Sequence, residues 1–207
     1  MRKERPSALP YGSSSMVILF RAILGLALPC SMVPCAVAQS TDESGLSREY
    51  TIKAAYLHNF ARYVQWRAET FRNDQDPFVI GVLGSDPLGD DLDRIAQTKQ
   101  VDAHKIVVRR FPSLDQFRPC HILFVPRSVE PQRQVETIGR LRNSPVLLIG
   151  ETPGFAERGG TINFFIEQNK VRFEINQQAA KRAGLKISAK LLSLAKLVSE
   201  DDGSRER

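Results

Sequence analysis

The sequence predicts an α/β fold: one domain with a mainly parallel sheet, flanking helices and an added C-terminal antiparallel hairpin. Two observations support this class. Short apolar runs such as Phe78–Leu83 alternate with helical patterns such as Pro131–Leu141, which is typical of a parallel sheet covered on both faces. Near the C-terminus, two strand-like runs flank the polar turn Glu167–Lys170, and this arrangement predicts a β-hairpin.

The second strand of this hairpin alternates apolar and polar side chains. Val171, Phe173 and Ile175 point to one side, and Arg172 and Glu174 point to the other. Because successive side chains of a strand face opposite sides, one face should be buried and the other polar. An internal ion pair that links the sheet to a helix is the expected role of the two charged residues.

Helix signals follow the hairpin directly. Asn176 can cap a helix over Gln177–Ala183, and Gly184 suits the residue just after that helix. Ser188 can cap a second helix. The apolar positions expected in this second helix are Leu191, Leu192, Ala195, Leu197 and Val198.

An N-terminal helix is predicted from about Arg48 to Trp66, because apolar residues recur there with helical spacing. The members of this stripe are Ile52, Ala55, Tyr56, Asn59, Phe60, Tyr63 and Val64. Lys53, His58 and Arg62 fall outside the stripe, so we expect them to lie away from the core.

The remaining predicted elements lie between these two regions. Strands are expected at Phe78–Leu83, Lys105–Arg110, His121–Val125 and Val146–Ile149, and helices at Leu88–Ala96 and Pro131–Leu141. Internal repeats and low-complexity segments are absent from the sequence.

The N-terminus has the features of a cleavable signal peptide. Residues 1–38 place basic side chains before an apolar run, and Ala36-Val37-Ala38 has the small-x-small form of a signal-peptidase site. Arg21 interrupts the apolar run, so translation is expected to begin at Met16. We therefore predict a periplasmic chain with a flexible lead-in at 39–47, an α/β domain at 48–199 and a polar tail at 200–207.

The charge balance argues against nucleic acid as a partner. The 207-residue chain has a formal net charge of +6, and removing residues 1–38 takes away four basic residues and one acidic residue, which leaves +3 on 169 residues. Basic patches with interleaved aromatic residues are missing. No membrane span is expected after signal cleavage, because a span needs about 20 apolar residues.

Two features resemble catalytic loops, but a turn explains them more simply. The segment Gly81–Gly89 follows a strand and precedes a helix, yet it matches neither GxGxxG nor a Walker loop. Ser85 lacks the GxSxG elbow of a hydrolase. We therefore predict no catalytic residue and no cofactor.

Metal ligation is not indicated either. A run of acids, Asp90, Asp91 and Asp93, suits the first turn of a helix, where negative charge is favourable. The three histidines lie in separate elements without a partner at ligand spacing: His58, His104 and His121.

Five stretches of the chain carry a family resemblance. They are EYTIKAAYLHNFARYVQW (49–66), FVIGVLGSDPLG (78–89), CHILFVP (120–126), PVLLIGE (145–151) and VRFEINQQAAKRAGLKISAKLLSLAKLV (171–198). Together they resemble the YfiR family of periplasmic proteins. The resemblance implies a non-catalytic repressor that holds the periplasmic part of a membrane-bound diguanylate cyclase inactive, so that cyclic-di-GMP and biofilm formation fall.

The resemblance also implies partners and contact residues. In the family an outer-membrane lipoprotein removes the repressor from the cyclase. Assembly of this chain into a homodimer is kept as a further alternative. The residues that we consider as contacts for a partner or an anionic ligand are Arg62, Arg109, Arg110, Arg172, Glu174 and Asn176.

Cysteine usage departs from the family pattern. Cys30 and Cys35 leave with the signal peptide, so Cys120 is the lone mature cysteine. The resemblance implies disulfides, with a cysteine expected where Gly81 stands, facing position 120. An intramolecular disulfide is therefore excluded here, and we expect Cys120 to be a buried free thiol that packs as a small hydrophobe.

A second class of function is kept open. A periplasmic small-molecule sensor, binding protein or enzyme would use a crevice at the carboxyl ends of the parallel strands. Gly84-Ser85-Asp86 and Gly150-Glu151-Thr152 are expected to line that crevice.

Overall fold

The computed structural model describes residues 40–66, 70, 71, 73 and 75–200, with only the backbone described for residues 40–43. In chain order its elements are α1 (Ser40–Tyr63), β1 (Val64–Gln65), β2 (Phe78–Leu83), α2 (Gly89–Thr98), β3 (Gln100–Val101), β4 (His104–Phe111), a 3-10 helix (Leu114–Gln116), β5 (Ile122–Val125), α3 (Pro131–Leu141), β6 (Leu147–Gly150), β7 (Ile162–Glu167), β8 (Lys170–Asn176), α4 (Gln177–Arg182), β9 (Lys186–Ile187), α5 (Ala189–Leu192) and β10 (Lys196–Val198).

The sheet confirms the predicted fold class. Its eight strands are ordered β3-β4-β2-β5-β6-β7-β8-β10. The neighbours from β4 to β7 are parallel, whereas β7 and β8 form the antiparallel C-terminal hairpin and β3 pairs antiparallel with β4. A separate two-stranded sheet joins β1 to β9.

Alternation along the central strands divides the core into two layers. In β2, Phe78, Ile80 and Val82 face one apolar cluster, whereas Val79 and Leu83 face the other. The first cluster lies under helices α1 and α2, and the second lies under α3. Since both faces are covered, these strands are continuous apolar runs, as parallel sheets require.

The sequence prediction is close for most central elements. Helix α3 has the predicted bounds, and the predicted strands differ from β2, β4, β5 and β6 by one residue or less at each end. The hairpin turn also forms where predicted. Gln168 and Asn169 have positive φ of 49° and 60°, which is the conformation of a type I′ turn between two strands.

Helix α1 corrects the N-terminal prediction at both ends and in its buried stripe. It ends at Tyr63 rather than at about Trp66, because Val64–Gln65 form β1 and pair with β9. It begins at Ser40, so the segment 40–47, predicted as a flexible lead-in, is helical. Extending a formed helix adds one hydrogen bond per residue without a new nucleation cost. The buried stripe is also shifted, because Ile52 is 38% exposed while Lys53 is 1% exposed. The prediction that Lys53 lies away from the core is therefore wrong.

The predicted second C-terminal helix is also too long. Ser188 caps α5 as expected, since its hydroxyl accepts a hydrogen bond from the Leu191 amide at 3.3 Å, but the helix ends at Leu192. Residues Lys196–Val198 instead form β10, which pairs in parallel with β8. The edge of β8 offers unpaired backbone groups there, and a strand satisfies them where a helix cannot.

The predicted signal peptide and most of the polar tail lie outside the described residues. Within the described part of the chain, no helix is long and apolar enough to cross a membrane.

Candidate functional site: a buried charge cluster at the sheet edge

Five side chains from three parts of the chain meet at the carboxyl edge of the sheet. Glu49, Tyr50 and Lys53 lie on α1, Arg127 follows β5, and Glu151 follows β6. Because β5 and β6 are parallel neighbours, the residues that follow them emerge at the same edge. We refer to these five residues as the charge cluster.

Lys53 is the centre of the charge cluster. Its ammonium group forms ion pairs with Glu49, one helical turn earlier, and with Glu151. The side chains of Lys53 and Glu151 are 1% and 0% exposed. The Lys53 Nζ atom also lies 4.8 Å from the centre of the Tyr50 ring, so an aromatic face completes its surroundings.

Glu151 accepts several hydrogen bonds at once. The Tyr50 hydroxyl donates to its Oε1 atom at 3.0 Å, and the Arg127 amide donates to the same oxygen at 2.8 Å. The Arg127 guanidinium approaches Oε2 at 3.4 Å and also pairs with Glu49. Both carboxylate oxygens are therefore satisfied, as burial of an acid requires.

The cluster shifts the pKa values of its members. Burial would raise the pKa of Glu151, but the charges and hydrogen bonds of Lys53 and Arg127 outweigh burial and hold that pKa below its usual range. Burial, together with the adjacent Glu151 carboxylate, raises the pKa of Tyr50. At neutral pH the carboxylate is thus ionised and the phenol is protonated.

The loop after β6 is held by an aromatic wedge. Phe155 is fully buried, and its ring lies against the backbone of Gly150 and Gly160. A Cβ atom at Gly150 would lie 2.3 Å from Phe155 Cγ, and one at Gly160 would lie 2.3 Å from Phe155 Cδ1. Only glycine fits at both positions, and this packing fixes the backbone that carries Glu151.

The charge cluster joins helix and sheet rather than presenting a reactive group. Its two acids and two bases balance in charge, and each is engaged with another member. Such a network positions α1 on the sheet, since breaking a buried pair leaves an uncompensated charge. Among the described residues, no group of three or more histidine, cysteine and acidic side chains has the geometry to hold a metal ion.

The sequence predicts one crevice at the carboxyl ends of the strands, but the structure has two separate crevices there. Gly84 and Ser85 line one of them, together with Ser113, Ser128 and Arg133. Glu151 and Thr152 line another, which includes members of the charge cluster. The expectation that both loops share one crevice is wrong, because β2 and β6 are separated by β5 in the sheet.

The arginines proposed as contacts have different environments. Arg62 is exposed in the last turn of α1. Arg110 pairs with Asp86 at 2.7 Å and Asp93 at 2.9 Å, so it ties β4 to the loop and helix that follow β2. Arg109 is exposed and reaches the Pro119 carbonyl at 3.5 Å.

The two candidate contact residues of the hairpin also differ in exposure and in their partners. Arg172 is exposed and lies 4.0 Å from Glu167 across the turn. Glu174 is buried, accepts a hydrogen bond from Asn163 Nδ2 at 3.1 Å and pairs with Lys196 of β10 at 3.6 Å. The expected ion pair between sheet and helix is therefore a pair between two strands, because residue 196 is in a strand.

Asn176 has a structural role. It is fully buried, and its side-chain oxygen accepts a hydrogen bond from the Ala179 amide at 2.9 Å, which caps α4 as predicted. Its Nδ2 group donates to the Ala156 carbonyl at 2.8 Å. With donor and acceptor both satisfied inside the protein, Asn176 is not a surface contact.

Cys120 is a free buried thiol, and burial raises its pKa to about 12. A Cβ atom at Gly81 would lie 3.1 Å from Cys120 Sγ and 2.8 Å from Phe111 Cε2. Position 81 thus faces position 120, and the Phe111 ring occupies the space that a side chain at 81 would need.

Two histidines that are distant in sequence meet around one aromatic ring. The rings of His104 and His121 both stack on Phe71, with centroids 4.0 and 4.6 Å away. His121 Nδ1 accepts a hydrogen bond from the Val79 amide at 2.9 Å. Burial, with a smaller effect of His104, lowers the pKa of His121 to about 4, so it is neutral at physiological pH.

Sequence reasoning missed most of the charge cluster. The helical pattern places Lys53 away from the core, and no sequence signal marks Arg127. One signal was available: a charged residue directly after a buried strand, as Glu151 is, emerges where parallel strands end. The helix phase could not be read as clearly, because alanine and tyrosine occupy several faces of α1.

The fold and its paired charges define a single-domain, mainly parallel α/β protein. The chain belongs to the YfiR/HmsC-like family, whose model matches residues 50–196. At the family level this is a periplasmic, regulatory and non-catalytic group that acts on diguanylate cyclases. No curated protein matches the chain.

Solved structures resemble the fold at low sequence identity. A conserved domain protein from Vibrio cholerae is 11% identical with a TM-score of 0.50, over 73% of this chain and 60% of that one. An ABC domain in complex with L-Trp from Streptococcus pneumonia is 13% identical with a TM-score of 0.43, over 58% of this chain and 55% of that one. The chain thus spans less than two thirds of either structure.

Proposed function

We propose that this protein is a non-catalytic repressor that binds the periplasmic sensor domain of a membrane diguanylate cyclase and lowers cyclic-di-GMP and biofilm formation. The family match over residues 50–196 carries this proposal. The geometry agrees with it, because the buried ionisable groups pair with one another and hold α1 on the sheet. A rigid scaffold of this kind suits recognition by its surface.

The proposal includes export and release. The signal peptide at 1–38 would be cleaved after Ala38, which delivers the chain to the periplasm. An outer-membrane lipoprotein would sequester the repressor and free the cyclase. N-terminal sequencing of the exported protein tests the first step, and a retained leader or a lipid on Cys35 would contradict it.

The decisive experiment combines deletion with capture. Deleting the gene should raise cyclic-di-GMP, and the tagged mature chain should recover a membrane protein with a GGDEF domain whose cyclase activity falls when the chain is added. A well-folded chain that captures no such cyclase, together with unchanged cyclic-di-GMP on deletion, would refute repression. Complementation with the Val135→Ser variant, which changes an exposed residue of α3, controls for expression.

One crevice favours a second function, the sensing of a small molecule. It lies at the carboxyl ends of β2, β4 and β5, where the strand order reverses, and its lining includes Ser85, Ser113 and Ser128. Ligands of open α/β sheets bind at such switch points. Native mass spectrometry of the periplasmic protein should reveal a bound compound, and a Ser128→Trp variant should lose it. A neighbouring cyclase gene would favour repression, and a biosynthetic operon would favour sensing.

A further inference from the structure

A groove separates the first half of α1 from the tip of the β7–β8 hairpin. Its volume is about 920 Å³. One wall is helical, and the other is the hairpin, whose turn conformation is set by the positive φ angles of Gln168 and Asn169. Both walls are regular secondary structure, so the groove is preformed.

Exposed apolar side chains concentrate in this groove. Leu46, Ile52 and Ile166 line it and are 48%, 38% and 48% exposed. The described residues contain seven exposed large hydrophobic side chains in all, so three of the seven share one groove. Clustered apolar exposure, unlike isolated apolar exposure, is typical of interaction sites.

The charged side chains that lack a close ion-pair partner at the groove are basic. Arg48 and Lys170 are exposed and form no ion pair with any residue described, and Arg172 has one distant pair at 4.0 Å. The acid of the lining, Glu49, is 15% exposed and is already paired with Lys53 and Arg127. An occupant with acidic side chains would therefore be complementary to this surface.

We propose that this groove binds an acidic segment of the partner protein, in which apolar side chains contact Leu46, Ile52 and Ile166 and carboxylates pair with Arg48, Lys170 and Arg172. The proposal rests on the proposed function and assigns the segment to the periplasmic domain of the cyclase. A concave site between two rigid walls suits an inserted segment better than a flat lipid surface. Arg127 is a member of the charge cluster and also lines this groove, so an incoming carboxylate would compete with Glu49.

Charge reversal with a matched control tests the electrostatic part. Lys170→Glu should weaken binding to the purified cyclase periplasmic domain about tenfold at low salt and less at high salt. Lys105→Glu, an exposed strand lysine of β4, should bind like the wild type. Equal melting temperatures of the two variants exclude a folding effect. Wild-type affinity in Lys170→Glu would overturn the groove assignment.

Site-specific photo-cross-linking separates this proposal from the function on which it rests. A benzoylphenylalanine residue at position 166 should cross-link the cyclase in the native envelope, and one at position 135 on α3 should not. Cross-links to the cyclase from 135 alone would move the interface and leave repression intact. Absence of the cyclase at every position would refute repression and the groove together.

Two other occupants are outcomes of the same series. Loss of binding to vesicles of anionic phosphatidylglycerol in Lys170→Glu, with cyclase binding unchanged, would assign the groove to lipid. Cross-links at position 166 between two copies of this chain would assign it to a homodimer. Either result would overturn an acidic segment of the cyclase as the occupant.

Discussion

Lys53 of α1 and Glu151 of the loop after β6 form an ion pair in which both side chains are shielded from solvent. They are 98 residues apart in sequence. The pair fixes the helix that carries Leu46 and Ile52 to the sheet that carries the hairpin. Its integrity therefore determines both the stability of the domain and the shape of the groove.

Removing the ammonium group should destabilise the protein strongly. Lys53→Met leaves the buried Glu151 carboxylate with only part of its compensating positive charge. We therefore expect a loss of about 3–5 kcal/mol in the free energy of unfolding. Urea denaturation measures this loss. The exposed control Lys105→Met should change stability by less than about 0.5 kcal/mol. A loss below about 1 kcal/mol for Lys53→Met would show that the pair is not essential for stability.

Adding one methyl group beside the aromatic wedge should also be costly. Gly150→Ala places a Cβ atom 2.3 Å from the buried Phe155 ring, so we expect a loss of about 3 kcal/mol from overpacking. Gly139→Ala on α3 is the matched control, because a Cβ atom at this position would have no neighbouring atom within 4 Å. This control should gain about 0.5–1 kcal/mol from its higher helix propensity. Similar melting temperatures for the two variants would contradict the close packing of Phe155 against Gly150.

The free energy of unfolding should fall as the pH is lowered from 6.5 to 4. The pKa of His121 is lowered to about 4 in the folded state, so over this range the unfolded chain binds more protons than the folded chain. Stability therefore rises with pH, and acidification from pH 6.5 to pH 4 should cost about 2.5 kcal/mol from this residue. Below pH 4.5, protonation of Glu151 adds to the loss, because its folded pKa is also lowered.

The variant His121→Phe should flatten the pH dependence between pH 6.5 and pH 4. It should also lower stability at pH 7, because the Val79 amide loses its acceptor. An unchanged slope in His121→Phe would assign the acid sensitivity to another group.

Cys120 should be unreactive in the folded protein. It is buried and its pKa is raised to about 12, so little thiolate is available at neutral pH. Ellman's reagent should titrate no thiol in the native mature chain and one thiol after denaturation. Reductant should leave the melting temperature unchanged, and Cys120→Ser should cost about 1 kcal/mol. A large shift with reductant would instead require a structural disulfide between chains.

Truncating a core ring tests the layer between α1 and the sheet. Phe60 is fully buried and packs on Phe164 and Phe173, with ring centroids 5.6 and 5.0 Å away. Phe60→Ala should lower the free energy of unfolding by about 3–5 kcal/mol through the cavity it leaves. Val135→Ala, on the exposed side of α3, should be nearly neutral. A small effect at Phe60 would mean that α1 is not packed on the sheet as described.

Elements whose signals are local can be predicted from the sequence alone. The bounds of α3, the apolar run of β2, the turn at Gln168 and Asn169 and the cap at Asn176 follow from residues within a few positions of each other. The alternation of these elements was sufficient for the fold class. The family resemblance added the facing of positions 81 and 120.

Features that depend on a partner distant in sequence are set by the three-dimensional fold. Lys53 is inside the protein because Glu151 meets it there, and residues 196–198 form a strand because the edge of β8 is free to pair. Arg110 is held by Asp86 and Asp93, so it differs from its neighbour Arg109, although the sequence predicts both as contact residues. A residue's own pattern cannot reveal these outcomes, because burial of a charge is favourable only where the fold brings its counter-charge.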